Sequence, residues 1–448
     1  MTAGIAERLA AAGMSEAESA AKSRLFENAW RAIDAADASP RLPAVAVFVP
    51  GRIEVFGKHT DYAGGRSLLC AIERGVCLVA RPRPDLRIRI TDGVIGETAA
   101  FDFDPGLTVA AGRWPGYPMT VARRLARNFP EARTGADIGF VSDLPPAAGM
   151  SSSSALLTAV FLVLAALNNL REHEAYQREI STPEDLAGFL GTIENGQSFG
   201  SLEGDRGVGT FGGSEDHTAM LCCQAGCLSQ YSFFPVRRER VVALPAGMRF
   251  VVAVSGVVAE KTGAAMARYN QVSLAARAAL ELWRGATGRA DGSLAEVVAS
   301  APDARERMRQ VLAESTHPVF PPSALVNRFE QFVSESHEIV PAAAEALARG
   351  DLEAVGRLAD ASQRGAEEWL GTQVRETVAL ARTARDEGAI AASAFGAGFG
   401  GSVWALVRVD EVEAFTRRWE TRYRAACPGT AGRARFLASR PGPPAVRL

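Results

Sequence analysis

The chain of 448 residues is poor in the features that usually advertise metal or redox chemistry. It has five histidines and six cysteines, with no His-Glu-x-x-His and no Cys-x-x-Cys. The common zinc and dithiol arrangements are therefore excluded. The cysteines are Cys70, Cys77, Cys222, Cys223, Cys227 and Cys427. The group Cys222, Cys223 and Cys227 falls on what reads as a strand and turn, which predicts buried thiols. Reduced thiols fit a cytoplasmic setting. Net charge is only -2, so there is no strong electrostatic pull toward nucleic acid or an anionic membrane. The longest apolar run, Ala155 to Leu167, is too short to span a bilayer and predicts a helix buried on most sides. No Walker A sequence occurs, since the stretch from Gly256 lacks the second glycine.

What is present is an ordinary globular composition, 47% hydrophobic and 22% charged, with material for two or three domains. The first 40 residues read as amphipathic helix, with six acidic and four basic residues. That acidity argues against a signal or transit peptide. "AVAVFV" and "GRIEVF" read as two extended pieces, and "GRSLLCAIERGVCLVARPR" as one or two more strands. "DLRIRITDG" alternates, with Arg87 and Arg89 on a solvated face and Ile88 and Ile90 on the other. Thr182 and Pro183 open a helix as N-cap and first helical residue. From about Lys261 the pattern is mostly helical as far as "GAIAASAF", and the tail "RPGPPAVRL" reads as extended. Strands and helices mix without strict βα alternation, which favours an α+β fold over a doubly wound one.

Three stretches carry chemistry. "VPGRIEVFGKHTDYAGG", from Val49, places a Lys, a His and an Asp directly after a strand, where a rigid element can hold them for binding. "PPAAGMSSSSALLTAV", from Pro145, ends a strand in small residues and opens a long apolar helix. Backbone N–H groups at such a helix start have no intrahelical partner, and the dipole there favours an anion. "FGAGFGGSVWALV", from Phe395, formally fits Gly-x-Gly-x-x-Gly. A dinucleotide site would need a strand before it and a helix after it. Here a helix is expected before it and a strand after. The glycines still imply tight backbone geometry beside something.

In this order and spacing the three stretches resemble the motifs of the GHMP kinase superfamily, and within it the galactokinases and related sugar 1-kinases. "WPGYPMTVARRL", "IENGQSFG" and "VSGVVAEKTGAAMARYN" extend the resemblance over nearly all of the chain after residue 40. It implies a two-domain α+β fold with the active site in the cleft. An N-terminal ribosomal-protein-S5-like domain would span residues 1–240, and a C-terminal ferredoxin-like domain residues 241–448. It implies ATP and Mg²⁺ as cofactors and phosphorylation of a monosaccharide at its anomeric hydroxyl, with galactose the leading substrate. Asp216 matches the catalytic aspartate, and Arg52 the arginine that stabilises it and the transferring group. Lys58, His59, Asp61 and Tyr269 match the sugar pocket. Gly149, Ser151, Ser152, Ser153 and Ser154 match the ATP-phosphate loop, and Trp114 an aromatic packed on adenine. Ser153 and Glu194 match the Mg²⁺ ligands. A cytoplasmic enzyme, monomeric or weakly dimeric, is expected.

The departures from the pattern bear on specificity. "LEGDRGVGTFG" looks like an insertion between Glu194 and Asp216, which leaves Asp205 and Glu215 as competitors for the catalytic position. Ser154 stands where alanine is usual, Ala63 where asparagine is usual, and Lys58 where glutamate is usual. A lysine has donors only. Either Lys58 turns away, to solvent or to a carboxylate such as Glu54, or it reads a sugar with a different far end, such as galacturonate or arabinose. A sugar sensor without turnover and a kinase for a non-sugar alcohol are the further alternatives.

Overall fold

The structure, a computed structural model, describes residues 4–34, 44–110, 112–146, 148–257 and 263–448. The expected helix onset near Lys261 lies outside the described residues. The strands among the described residues are β1 (Val45–Phe56), β2 (Arg66–Pro82), β3 (Arg87–Asp92), β4 (Thr98–Asp102), β5 (Ala136–Ser142), β6 (Cys227–Ser232), β7 (Arg237–Ala243), β8 (Met248–Val254), β9 (Ala391–Phe395), β10 (Ser402–Arg408), β11 (Arg435–Ser439) and β12 (Val446–Arg447). They form two sheets. The larger runs β12-β1-β2-β5-β3-β4, and β6 pairs with the first part of β2 and carries β7. Only the β3–β5 pairing in it is parallel. The smaller runs β11-β8-β10-β9 and is antiparallel throughout.

The two extended pieces expected at "AVAVFV" and "GRIEVF" are one strand, β1, buried along all of its 12 residues. Register shifts against β2 fall between Pro50 and Arg52 and between Glu54 and Phe56. Irregularity of this kind lets a strand absorb a proline and re-aim its side chains. One face of β1 is covered by the helix Glu16–Asp34, which packs Phe26 and Trp30 against Phe48 and Val79. The other lies under the helix Ser152–Leu167, whose Ala155, Val160 and Phe161 are fully buried. That helix is apolar all round because it is enclosed. Among the described residues no helix is long and apolar enough to cross a membrane.

Several local readings hold. Thr182 accepts from Asp185 N and Asp185 returns the bond, closing a capping box on the helix Pro183–Asn195. Ile88 and Ile90 are buried, while Arg87 and Arg89 pair with Asp102 and Asp137. The tail is extended and returns to the first sheet, where Val446 and Arg447 pair with β1. All six cysteines are free thiols, five of them buried.

One local reading is corrected. The residues before the glycine loop are a strand, β9, not the end of a helix. Alanine favours helix in isolation. Here the helix stops at Asp386, and the small side chains of Ala391, Ala392, Ser393 and Ala394 let the helix Leu352–Gly365 lie against the strand. A Cβ on Gly356 would stand 2.5 Å from the Ile390 carbonyl oxygen. The glycine loop therefore links two antiparallel strands, which is not the βαβ unit of a dinucleotide site.

The sheets meet under this loop at Trp404 of β10. The fully buried ring stands edge-on to Phe56 of β1 at 5.8 Å and to Phe250 of β8 at 5.8 Å. Trp404→Ala is expected to lower stability by about 3–5 kcal/mol. Urea unfolding monitored by circular dichroism checks this, and a loss below 1 kcal/mol would show that the joint is not built on this ring.

Candidate active site

Three loops converge where the sheets meet. The Ser-rich loop ends with Ser151 in a left-handed conformation (φ 57°), followed by the helix from Ser152. The glycine loop lies directly on it. A Cβ on Gly396 (φ 81°) would stand 3.0 Å from the Gly149 oxygen, so the loops can touch backbone to backbone only with glycine here. Ser402 Oγ also donates to the Ala148 oxygen. The third segment is the polar run after β1, with His59 also at positive φ (58°).

At the centre is Arg52 of β1, 4% exposed. Its Nε donates to Asp216 Oδ1 at 2.8 Å and its Nη2 lies 2.7 Å from the same carboxylate. Its Nη1 donates to the Gly149 oxygen at 2.5 Å. Burial works against the charge of Arg52, but Asp216, Glu215 and Glu54 outweigh it and hold the pKa above the ordinary arginine value. Asp216, in the first turn of the helix Glu215–Cys222, also accepts from Ser151 Oγ at 2.5 Å and Ser154 Oγ at 3.3 Å. The two competitors for its position are engaged elsewhere. Asp205 accepts from Arg123 Nε at 2.7 Å, and Glu215 accepts from Ser67 Oγ at 2.6 Å.

Two cavities adjoin this pair. A cleft of about 1330 Å³ is lined by Trp114, Gly149, Ser151, Ser152 and Ser153, by Gly398 and Gly401, and by Asp205 to Gly209 of the loop that reads as inserted. That loop is anchored by Arg123 and Arg124, which donate to its carbonyls from the helix Gly116–Asn128. Trp114 donates its indole N–H to Glu97 at 3.0 Å and packs on Phe140. The second cavity, about 50 Å³, is lined by Glu54, His59, Asp61, Glu194, Glu215, Asp216 and Tyr269 among others. Arg52 and Ala397 line both. In the small cavity Asp61 accepts from the backbone N–H groups of Tyr62 (2.8 Å) and Glu215 (3.2 Å). Burial raises its carboxyl pKa, against those two bonds. Gly213 gives it room, since a Cβ there would stand 2.4 Å from Asp61 Oδ2, and Gly212 does the same for Tyr269, whose Oη would lie 2.8 Å from a Cβ. Tyr269 leans on His59, ring centres 5.6 Å apart. His59 commits both ring nitrogens, to Tyr62 Oη at 2.9 Å and the Ala397 oxygen at 3.1 Å.

Most of the residues expected from the sequence are brought together, and two stand elsewhere. Ser154 is fully buried and does not face the nucleotide-sized cleft. One position past Ser153, the helical turn aims it inward, and it donates to Glu194 Oε2 at 2.8 Å. Lys58 does not line the smaller cavity. It is 2% exposed, and its Nζ donates to Ser362 Oγ at 2.6 Å in the helix Leu352–Gly365. Ser362 donates in turn to Glu335, which also accepts from Gly57 N at 2.8 Å. Lys58 thus braces the polar run against the C-terminal helices. Sequence reasoning missed Glu54 as a lining residue. Its position two residues after Arg52 on the same strand was the available signal.

With the geometry in place, the comparisons define a class first. The GHMP kinase N-terminal domain matches residues 116–198 and the GHMP kinase C-terminal domain residues 343–425. The galactokinase galactose-binding signature matches residues 37–82. The fold is that of the Lactococcus lactis galactokinase solved with galactose, at a TM-score of 0.76 and 23% identity over 96% of this chain and 99% of that one. It is also seen in the Methanococcus jannaschii mevalonate kinase, at a TM-score of 0.54 and 13% identity over 90% and 99%. This is the two-domain α+β fold of the GHMP sugar kinases. A galactokinase of Chloroflexus aurantiacus is 31% identical over 82% of this chain and 84% of its own length. One of a Roseiflexus species is 29% identical over 87% and 90%. The chain belongs to the galactokinase family.

Lys58→Met is expected to destabilise the fold by about 1.5–3 kcal/mol, as a buried charged hydrogen bond is lost, while the KM for sugar stays unchanged. Thermal unfolding and steady-state kinetics check both. A raised KM with unaltered stability would return Lys58 to the sugar site.

Proposed function

We propose that this chain transfers the γ-phosphoryl group of ATP to the anomeric hydroxyl of galactose, giving galactose 1-phosphate and ADP. The observation that carries the reading is the Arg52–Asp216 pair at the junction of the two cavities. Galactose binds in the smaller cavity and ATP in the larger. Asp216 accepts the proton of the attacking hydroxyl. Arg52 keeps that carboxylate ionised and oriented, and its guanidinium stands where negative charge passes from donor to acceptor. Phosphoryl transfer needs positioning and charge neutralisation more than covalent help. The free N–H groups at the start of the helix from Ser152 supply part of it. Asp61 and Tyr269 hold sugar hydroxyls. His59 fixes the loop to Ala397 and reaches a hydroxyl only if that bond opens. Trp114 flanks the base.

Ser153 and Glu194 would hold Mg²⁺. The donor set fits, because a hydroxyl and a carboxylate offer the hard oxygens this ion prefers. Among the described residues there is no group of three or more His, Cys, Asp or Glu able to hold a metal by itself. An ion here would share its coordination with phosphate oxygens, and when bound it neutralises their charge.

The cavity favours a neutral sugar. Glu54, Asp61, Glu194, Glu215 and Asp216 line it against the single guanidinium of Arg52. A uronate would meet like charge, and Lys58 is turned away from it. A domain boundary near residue 240 is supported by the change of sheet from β7 to β8, with the C-terminal tail returning to the first sheet. The free cysteines suit a cytoplasmic enzyme.

Asp216→Asn is expected to keep the fold and ATP binding while lowering turnover by about 10²-fold or more. Coupled ADP release with galactose measures it, and near-normal turnover would sink the assignment. Ser153→Ala and Glu194→Gln are each expected to weaken Mn²⁺ binding in the presence of ADP, read by titration calorimetry, and to raise the Mg²⁺ concentration needed for half-maximal rate. Unchanged metal affinity in both would remove them from the metal site.

A further inference from the structure

Beside the Arg52–Asp216 pair lie two further buried carboxyl groups, Glu54 and Glu215. Glu54 is 3% exposed and Glu215 5%. Three of their four oxygens have identifiable neighbours. Glu54 Oε2 accepts from Gly396 N at 3.3 Å, Glu215 Oε2 accepts from Ser67 Oγ, and Glu215 Oε1 lies 3.9 Å from Arg52 Nε. Glu54 Oε1 is buried with no donor. The two carboxyl groups are within side-chain hydrogen-bond reach of each other. Two ionised carboxylates cannot fill that gap, because neither has a proton to give.

We propose that Glu54 and Glu215 share one proton, and that this shared-proton pair is a positioning device that keeps the guanidinium of Arg52 on Asp216. The inference rests on Arg52–Asp216 as the transferring pair. Arg52 has three carboxylates within 4.0 Å, from Glu54, Glu215 and Asp216. If all three were ionised, the guanidinium would be drawn off Asp216 toward the other two. With one proton held between Glu54 and Glu215, the pair carries a single charge and its open oxygen is satisfied. The other charged and titratable groups facing the pair are Lys58, Asp61 and Glu335 and, across the cavity, His59, Tyr62, Glu194 and Tyr269. Burial pushes both glutamates up, Glu54 to about 7, with Arg52 and Lys58 opposing. Neither glutamate is one of the residues assigned to the metal, and the loss and gain of the proton is a simple exchange with solvent.

The sign of the pH dependence follows. Each acid binds its proton more tightly folded than unfolded. For Glu54 the stability this contributes is complete below the ordinary glutamate range and is lost as pH rises through about 7, and Glu215, also raised, follows the same sign. The experiment compares wild type with Glu54→Gln, Glu215→Gln and Glu54→Ala between pH 5 and 9. In the wild type, an infrared carbonyl band of a buried protonated carboxylic acid should be present at pH 6 and absent at pH 9. Turnover should fall by about tenfold per pH unit over the limb where the proton leaves. Either Gln variant should lack both the band and that limb, and should lose less thermal stability than wild type on going from pH 5 to 9. Glu54→Ala, which supplies no donor, should turn over more slowly than Glu54→Gln at every pH. If either Gln variant fails to fold, the other carries the test. An identical band and limb in the Gln variants would overturn the proposal. A raised galactose KM in Glu54→Gln with the pH profile unmoved would also do so, making Glu54 a sugar ligand instead. The infrared and unfolding measurements need no turnover. A wild type that released no ADP with galactose would thus refute the function while leaving the shared proton to be decided.

Discussion

A buried guanidinium needs partners on every side, and in this chain that requirement falls on Arg52. Removing a charge from water without pairing it is costly by several kcal/mol. Arg52 is satisfied by Asp216 and by the Gly149 carbonyl, groups far apart in sequence. The helix carrying Asp216, the Ser-rich loop and β1 must therefore dock together. The glycine loop closes on them because Gly149, Gly396 and Gly401 leave nothing but backbone in between. The glycine loop, carried by β9 and β10 of the second sheet, thus seats on the same loops that surround Arg52.

The centre so formed is acidic, although the nucleotide proposed to bind beside it is an anion. The chain offsets this in several ways. Helix N–H groups face the cleft behind the Ser-rich loop, Arg52 stands at the junction, and a metal ion brought with the nucleotide would add positive charge. The proton placed between Glu54 and Glu215 belongs to the same account of charge. It removes one negative charge from a site that already holds Asp61, Glu194 and Asp216.

The polar run after β1 has two duties. Asp61 faces the small cavity, held by the N–H groups of Tyr62 and Glu215. Lys58 points the other way and, through Ser362 and Glu335, joins the run to the C-terminal helices. Gln331 and Arg328 add bonds from the same layer to the carbonyls of Lys58 and His59. A sugar loop held from behind in this manner keeps its front residues in place without a ligand.

Motif residues at fixed spacing were legible in the chain itself. Arg52, Asp61, Ser153 and Asp216 stand in short stretches that resemble family motifs, and the fold brings all four to the two cavities; the capping box at Thr182 is local. Side-chain direction was not legible where it depends on a distant partner. Lys58 lies in the middle of a binding motif, yet its direction is set by Ser362, some 300 residues away in the chain. Ser154 continues a serine run but is turned inward by one step of helix onto Glu194. The alanine-rich stretch before the glycine loop has the composition of a helix, and β10 made it a strand. Sequence by itself determined which chemistry could be assembled, because composition and spacing are properties of neighbours along the chain. Tertiary structure alone decided which of those groups face substrate and which brace the fold, because burial forces each polar atom to find a partner wherever the packed chain provides one.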